Sequence, residues 1–215
     1  MSREVGSGLY IAVEGPIGVG KTSLARILAV ELNAEVVLED AQANPFLPDF
    51  YRNPRRYALQ TQLCFLVERH RQQAELKQID LFHQRLVIDY IFEKDAVFAH
   101  LTLDDRELDL YNRIAERLKS DVPTPDMVIY LQSNPQRLMT NIRIRDISYE
   151  RSIDERYLEA LCEGYNRLFF NWNRSPLLIV NAAPIDFVHN VEHRRRVLEI
   201  VREMPPGTTF FNPEA

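Results

Sequence analysis

Gly15, Pro16, Ile17, Gly18, Val19, Gly20, Lys21 and Thr22 follow one another in the spacing G-x-x-x-x-G-K-[ST]. Glycines at those places let the backbone turn tightly and aim several N–H groups at one spot. Such a loop, opening into a helix N-terminus, concentrates positive potential where phosphate oxygens would sit. Lys21 is placed to reach the β- and γ-phosphates of a nucleoside triphosphate, and the Thr22 hydroxyl to ligate Mg2+. A glycine turn with an accidental lysine is the competing explanation. It is weak, because five of the seven glycines lie in the first twenty residues and Lys21 is one of only four lysines. The loop leaves open what receives the phosphate: water, a protein or a small molecule.

Two acids stand where such a ligand would lie. Glu39 follows the apolar run 35–38 (EVVL), and Asp89 follows 85–88 (RLVI). In open parallel sheets, ligands gather at the carboxyl ends of the strands. An acid ending a buried strand can hold Mg2+ or its water, the role that falls to Asp89. Glu39 can accept a proton from an attacking hydroxyl. Position is the whole warrant for both, and ordinary solvated acids at strand ends fit the same pattern.

Positioning these groups takes strands that end beside the loop. Apolar runs at 9–13, 35–38, 85–89, 127–131 and 177–180 read as strands. Helical patterns lie between and after them, at about 22–32, 54–78, 93–101, 104–119, from 135 onward, up to about 172, and at 186–203. Asn53 before Pro54 and Asn134 before Pro135 pair a capping side chain with proline at the first helical position. Strands alternating with helices predict an α/β fold: one domain over 1–215 with a five-stranded parallel sheet flanked by helices. From Pro205 onward no period is visible, so the tail 205–215 is expected to be loose or packed on the surface.

On the helix from Pro54, Gln62 and Arg69 are seven residues apart and share a face with Phe65. A glutamine amide pairs bidentately with a base edge that carries one donor and one acceptor. Two polar residues flanking an apolar stripe and facing solvent would show the same spacing. Further on, 143–156 reads RIRDISYERSIDER. With Arg143 and Arg145, a segment at 141–153 can act as a lid that closes over triphosphate. A solvated connection with weak surface ion pairs is the alternative.

Together these pieces resemble the deoxynucleoside kinase family, above all bacterial deoxyadenosine and deoxyguanosine kinases, over nearly the whole chain. The resemblance implies a P-loop kinase fold, ATP with Mg2+ as phosphate donor, and a deoxynucleoside, a purine one first, as acceptor. It makes Glu39 the general base. Through FLPDFYRNPRRYALQTQ at 46–62 it carries over Tyr51 as contact to the sugar 3′-hydroxyl and Gln62 as the base-pairing amide. Arg69 and Asp95 match a charged pair that helps read the base, and Phe98 matches the ring that stacks on it. Arg145 matches the lid, Glu150 an acid that also touches the sugar, and Asp186 with Phe187 the adenine loop of the ATP site. A homodimer is implied as well.

The chain also departs from the family. Asp89-Tyr90-Ile91 stands where relatives carry an acid followed by Arg and Ser, so the arginine that meets the 5′ oxygen is absent. Arg143 or Lys94 is the candidate substitute. Asn141 and Ile147 occupy places where many relatives have arginine, and Asp40 follows Glu39 in place of proline. Two other readings remain at this point. One is a nucleoside monophosphate kinase such as thymidylate kinase, which needs extra basic residues for the acceptor phosphate. The other is a nucleotide-binding relative without transfer chemistry.

Composition narrows the classes further. Apolar residues at 46% and charged residues at 27% match a globular chain rather than a disordered or fibrous one. Asp+Glu 31 against Lys+Arg 26 gives a net charge of −5, which argues against a nucleic-acid binder built on a basic stripe. No run approaches the ~18 apolar residues of a membrane span, and MSREVGSG lacks the apolar stretch of a secretory signal. Cys64 and Cys162 lack metal-ligand spacing and read as thiols of a reducing compartment. The expectation is a cytoplasmic protein whose partner is a small molecule, neither membrane nor nucleic acid.

Overall fold

The computed structural model describes residues 8–78, 85–119, 122–187 and 190–213. Residues 1–7 of the amino-terminal stretch, 188–189 of the expected last helix and 214–215 of the tail lie outside them. Six parallel strands form one sheet: β1 (Leu9–Glu14), β2 (Glu35–Val37), β3 (Arg85–Ile88), β4 (Met127–Gln132), β5 (Leu177–Asn181) and β6 (Thr208–Phe211). Their order is β2-β3-β1-β4-β5-β6. The helices are α1 (Lys21–Leu32), α2 (Leu47–Arg52), α3 (Pro54–Gln78), α4 (Lys94–Thr102), α5 (Asp105–Lys119), α6 (Pro135–Arg145), α7 (Glu155–Phe170) and α8 (Val191–Glu203).

Strands β1 and β4 are buried along almost their whole length, from Tyr10 to Glu14 and from Met127 to Leu131. Burial on both faces explains why their sequences run apolar without alternation. Tyr130 stacks on Phe169 with ring centroids 4.3 Å apart, and Trp172 extends the aromatic layer against Phe169 at 5.9 Å. A second, smaller core joins α3, α4 and α5 around Leu66, Ala99 and Tyr111. Among the described residues no helix is long and apolar enough to cross a membrane.

The sheet has six strands, not the expected five, and the tail is not loose over 208–211. Those residues pair with β5 in register, Leu177 with Thr208 through Val180 with Phe211. Gly207, at φ +76°, turns the chain to bring them there. Thr-Thr-Phe-Phe has strand chemistry but is too short to display a period. As in an edge strand, Phe211 packs on the core while Phe210 is exposed. The last helix starts at Val191 rather than near 186, because Asn190 caps it. The Asn190 side chain accepts from the backbone N–H of Glu192 at 3.0 Å and of His193 at 3.2 Å.

The order of the strands decides where chemistry can happen. With β1 between β3 and β4, the loop after β1 is flanked by Asp89 on one side and by the start of α6 on the other. Helix α4 is then held in place by α7, where Gly164 lets the two helices approach. A Cβ at Gly164 would stand 2.7 Å from Val97 Cγ1, inside any real contact, and valine has little freedom to yield. Gly164→Val is therefore expected to destabilise the protein by about 2 kcal/mol through overpacking. Thermal unfolding should show the midpoint lowered by roughly 5 °C.

Candidate active site

The glycine loop has the backbone its sequence demands. Gly15, Gly18 and Gly20 have φ of 151°, 82° and 101°. A Cβ at Gly15 would lie 2.5 Å from the Leu131 carbonyl oxygen, and one at Gly18 would lie 2.9 Å from Ile142 Cγ1. The loop is thus wedged between β4 and α6. Glu14, fully buried, holds it from below: its carboxylate accepts from Gly15 N–H at 2.7 Å, Ile91 N–H at 2.9 Å and the Tyr165 hydroxyl at 3.0 Å. Asn141 adds a bond from above, donating to the Gly18 carbonyl at 2.8 Å.

Lys21 Nζ donates to the carbonyls of Gly15 at 2.9 Å and Pro16 at 3.1 Å. Burial and the neighbouring Lys94 ammonium lower its pKa to about 8, against the opposing pull of Glu14, Glu39 and Asp89. Beside it, the Thr22 hydroxyl donates to Asp89 Oδ2 at 2.6 Å, and Asp89 Oδ1 accepts from Glu39 N–H at 2.7 Å. The adjacent Thr22 and Asp89 oxygens are hard donors and suit Mg2+, which usually takes few protein ligands and completes its shell with phosphate and water. Among the described residues no group of three or more His, Cys, Asp or Glu side chains could hold a metal.

The Glu39 carboxylate lies between two cations. Arg69 donates from Nε at 2.9 Å and from Nη2, and Lys94 Nζ donates at 2.5 Å. Burial alone would raise the Glu39 pKa. The charges of Arg69 and Lys94 outweigh burial and hold the carboxyl well below the usual carboxylate range. Arg69 also pairs with Asp95, which is buried behind it, and lies over the Phe65 ring at 4.9 Å. Of the two candidates for the missing positive charge, Lys94 is the one at Glu39. Arg143 lines a separate groove on the outer side of the 141–153 segment.

From this floor a cleft rises between α2, α3, α4 and the 141–153 segment, with about 830 Å3 of empty space partly open to solvent. Tyr51, Gln62, Phe65, Phe98, Arg145 and Glu150 line it together with Lys21, Thr22, Glu39, Arg69 and Asp89. Tyr51 stacks on Tyr149 at 5.8 Å, and the Ser152 hydroxyl donates to the Tyr51 carbonyl at 3.1 Å. Arg145 Nη2 donates to both Glu150 carboxylate oxygens, at 2.8 and 2.7 Å. Asp95, Arg143, Asp186 and Phe187 are not on the wall of this cleft; Phe187 packs into the core.

Glu14, Thr102 and Tyr157 are additions that sequence reasoning did not make. An acid interrupting the run LYIAVE was a visible signal for Glu14. Nothing local marks Tyr157, which lines the cleft, or Thr102, which meets the Gln62 amide. The depressed pKa of Lys21 has a measurable consequence. Bound phosphate favours the ammonium form, so triphosphate affinity is expected to be flat below pH 8 and to fall as pH rises through and above 8. Titration calorimetry in buffers of differing ionisation enthalpy should show uptake of nearly one proton per triphosphate at pH 9 and far less at pH 7.

Residues 11–205 match the family model for deoxynucleoside kinase. The deoxyguanosine kinase of Bacillus subtilis is 31% identical over 200 residues, covering 91% of this chain and 97% of that protein. The deoxyadenosine kinase of Lactobacillus acidophilus is 30% identical, covering 90% and 94%. Among solved structures, deoxyadenosine kinase from M. mycoides with the products dCMP and dCDP superposes with a TM-score of 0.78. At 22% identity, over 90% of this chain and 98% of that one, it shows the same fold. With a family match over most of its length and relatives aligned nearly end to end, the chain belongs to the deoxynucleoside kinase family.

Proposed function

We propose that the chain transfers the γ-phosphoryl group of ATP to the 5′-hydroxyl of a deoxynucleoside, a purine one by preference, giving the 5′-monophosphate. The observation that carries this is the half-buried, doubly paired Glu39 carboxylate, set on the same cleft as Lys21 and Thr22 of the phosphate loop. Glu39 is ionised at every working pH, so it is always in the form that accepts a proton. Its basicity is low. Phosphoryl transfer has a loose transition state that asks little of a base until the new O–P bond forms, so a weak, well-placed base suffices. Lys21 and Arg145 stabilise the charge spread over the moving group. Thr22 and Asp89 are the residues that would hold Mg2+, which when bound offsets charge on the β- and γ-phosphate oxygens.

The acceptor fits best as an uncharged nucleoside. Of the cations on the cleft wall, Arg69 and Lys94 are taken by Glu39, while Lys21 and Arg145 serve the donor triphosphate in this reading. Among the described residues that leaves no further basic residue on the wall for an acceptor phosphate, which a monophosphate kinase would need. Tyr51 and Glu150 face the sugar in this reading, Gln62 the base edge, and Phe65 and Phe98 its faces. A homodimer and a cytoplasmic location belong to the same proposal and rest on the family alone.

The test is an assay of ATP-dependent phosphorylation across the four deoxynucleosides and their monophosphates. Product from the nucleosides is expected; product from monophosphates alone would overturn the reading. Glu39→Gln keeps an acceptor for Arg69 and Lys94 but loses the base, and should cut kcat by about 10²- to 10⁴-fold with nucleoside binding little changed. Lys94→Met removes one of the two cations that depress Glu39. The parent is expected to show no acid limb from Glu39 in the working pH range, and Lys94→Met to bring one in at the acid end of the pH–kcat profile; a profile with the parent's shape would show that Lys94 does not hold Glu39 ionised.

A further inference from the structure

Gln62 is buried, at 3% exposure, on the wall of the cleft. Its amide meets one polar side chain, Thr102 at the end of α4, with Nε2 3.3 Å from Thr102 Oγ1. That hydroxyl has a second neighbour, the Phe98 carbonyl one turn back, at 2.7 Å. The shorter contact places the hydroxyl proton of Thr102 on Phe98 O. In that state Thr102 offers Gln62 a lone pair, and the amide turns its NH2 toward it. Turning the amide over would oblige the hydroxyl to swing its proton to the amide oxygen and give up the 2.7 Å bond to Phe98 O.

A glutamine free to turn over reads two kinds of base edge. Adenine and cytosine place an amino donor beside a ring acceptor, whereas guanine and thymine place an oxo acceptor beside a ring N–H. For one placement of the ring, an amide pinned in one sense pairs with the first kind or the second and leaves the other unpaired. We propose that Thr102 is a positioning residue that locks the Gln62 amide and so restricts the enzyme to one of these two classes of base. The inference rests on the deoxynucleoside-kinase reading of the cleft. An unmade buried hydrogen bond corresponds to about a tenfold to hundredfold preference at each base size.

The experiment compares kcat/KM for deoxyadenosine against deoxyguanosine, and for deoxycytidine against thymidine, in the parent, Thr102→Val and Thr102→Ser. Each ratio is taken within one variant, so the fraction of folded enzyme cancels even if valine destabilises α4. The parent is expected to favour the same edge class in both pairs by at least about tenfold. Thr102→Val, which keeps the shape but lets the amide turn, should lower both ratios at least fivefold by raising activity on the disfavoured base. Thr102→Ser, which keeps the hydroxyl, should retain them. Ratios in Thr102→Val within twofold of the parent, or a parent without class preference, would overturn the lock. If no deoxynucleoside is phosphorylated by the parent at all, the kinase reading fails instead.

Discussion

Four charges removed from water set the geometry of this molecule's centre. Glu39 and Asp95 stand on either side of Arg69, and Lys94 completes the group from the first turn of α4. Arg69, Lys94 and Asp95 are each under 5% exposed. Isolated, any one of them would cost several kcal/mol to bury, so they are tolerated only as a mutually paired set. That requirement fixes more than charge. It joins the loop just after β2, the middle of α3 and the start of α4, and it places Glu39, the carboxylate of the set that faces the cleft, in its ionised form.

The phosphate end is held by a parallel device. Glu14 takes three hydrogen bonds from three different parts of the chain: the loop it precedes, the backbone after β3 and the side chain of Tyr165 on α7. The bond to Ile91 N–H draws in the segment that links Asp89 to Lys94, so the loop and the ion cluster share a rigid support. Catalytic groups borne on such a frame need little rearrangement when charge develops, which is where electrostatic stabilisation is most effective. The opposite wall is built differently. Arg145 ends α6 beside Asp146 at φ 50°, is 44% exposed, and is held by Glu150 across a short turn.

What the amino-acid sequence discloses follows from how far each signal extends. The phosphate loop is legible because steric rules require glycine at Gly15 and Gly18, whatever lies around them. Glu39 and Asp89 are legible because strand ends in a parallel sheet share one side. Strand β6 was not, since four residues carry no period and its partner β5 is thirty residues away. The place of Lys94 beside Glu39 was legible only as a vacancy, the absence of arginine after Asp89, with Arg143 an equal candidate. Choosing between them needed the position of α4, which depends on Gly164 in a helix some seventy residues later. Thr102 was invisible for a sharper reason: its effect comes from where a single hydroxyl proton goes, and no pattern of residue types records that.

Helix α3 unites these parts because of its length. Gln62 and Arg69 are two turns apart, about 10 Å along the axis. That distance is comparable with the reach of a nucleoside from its 5′ oxygen to the far edge of its base. The shared face suggested a base-reading pair, and the resemblance set Arg69 with Asp95 at the base. Arg69 meets Glu39 as well as Asp95, while Gln62 sits against Thr102 two turns away. Helix α3 thereby spans the cleft from the Glu39 carboxylate to the Gln62 amide. Antiparallel to it, α4 repeats the division, with Lys94 and Asp95 opposite Arg69 and Thr102 opposite Gln62. A molecule bound between them is gauged at both ends by the same pair of helices. Anything that tilts α4 against α3 must disturb the Glu39 carboxylate and the Gln62 amide together.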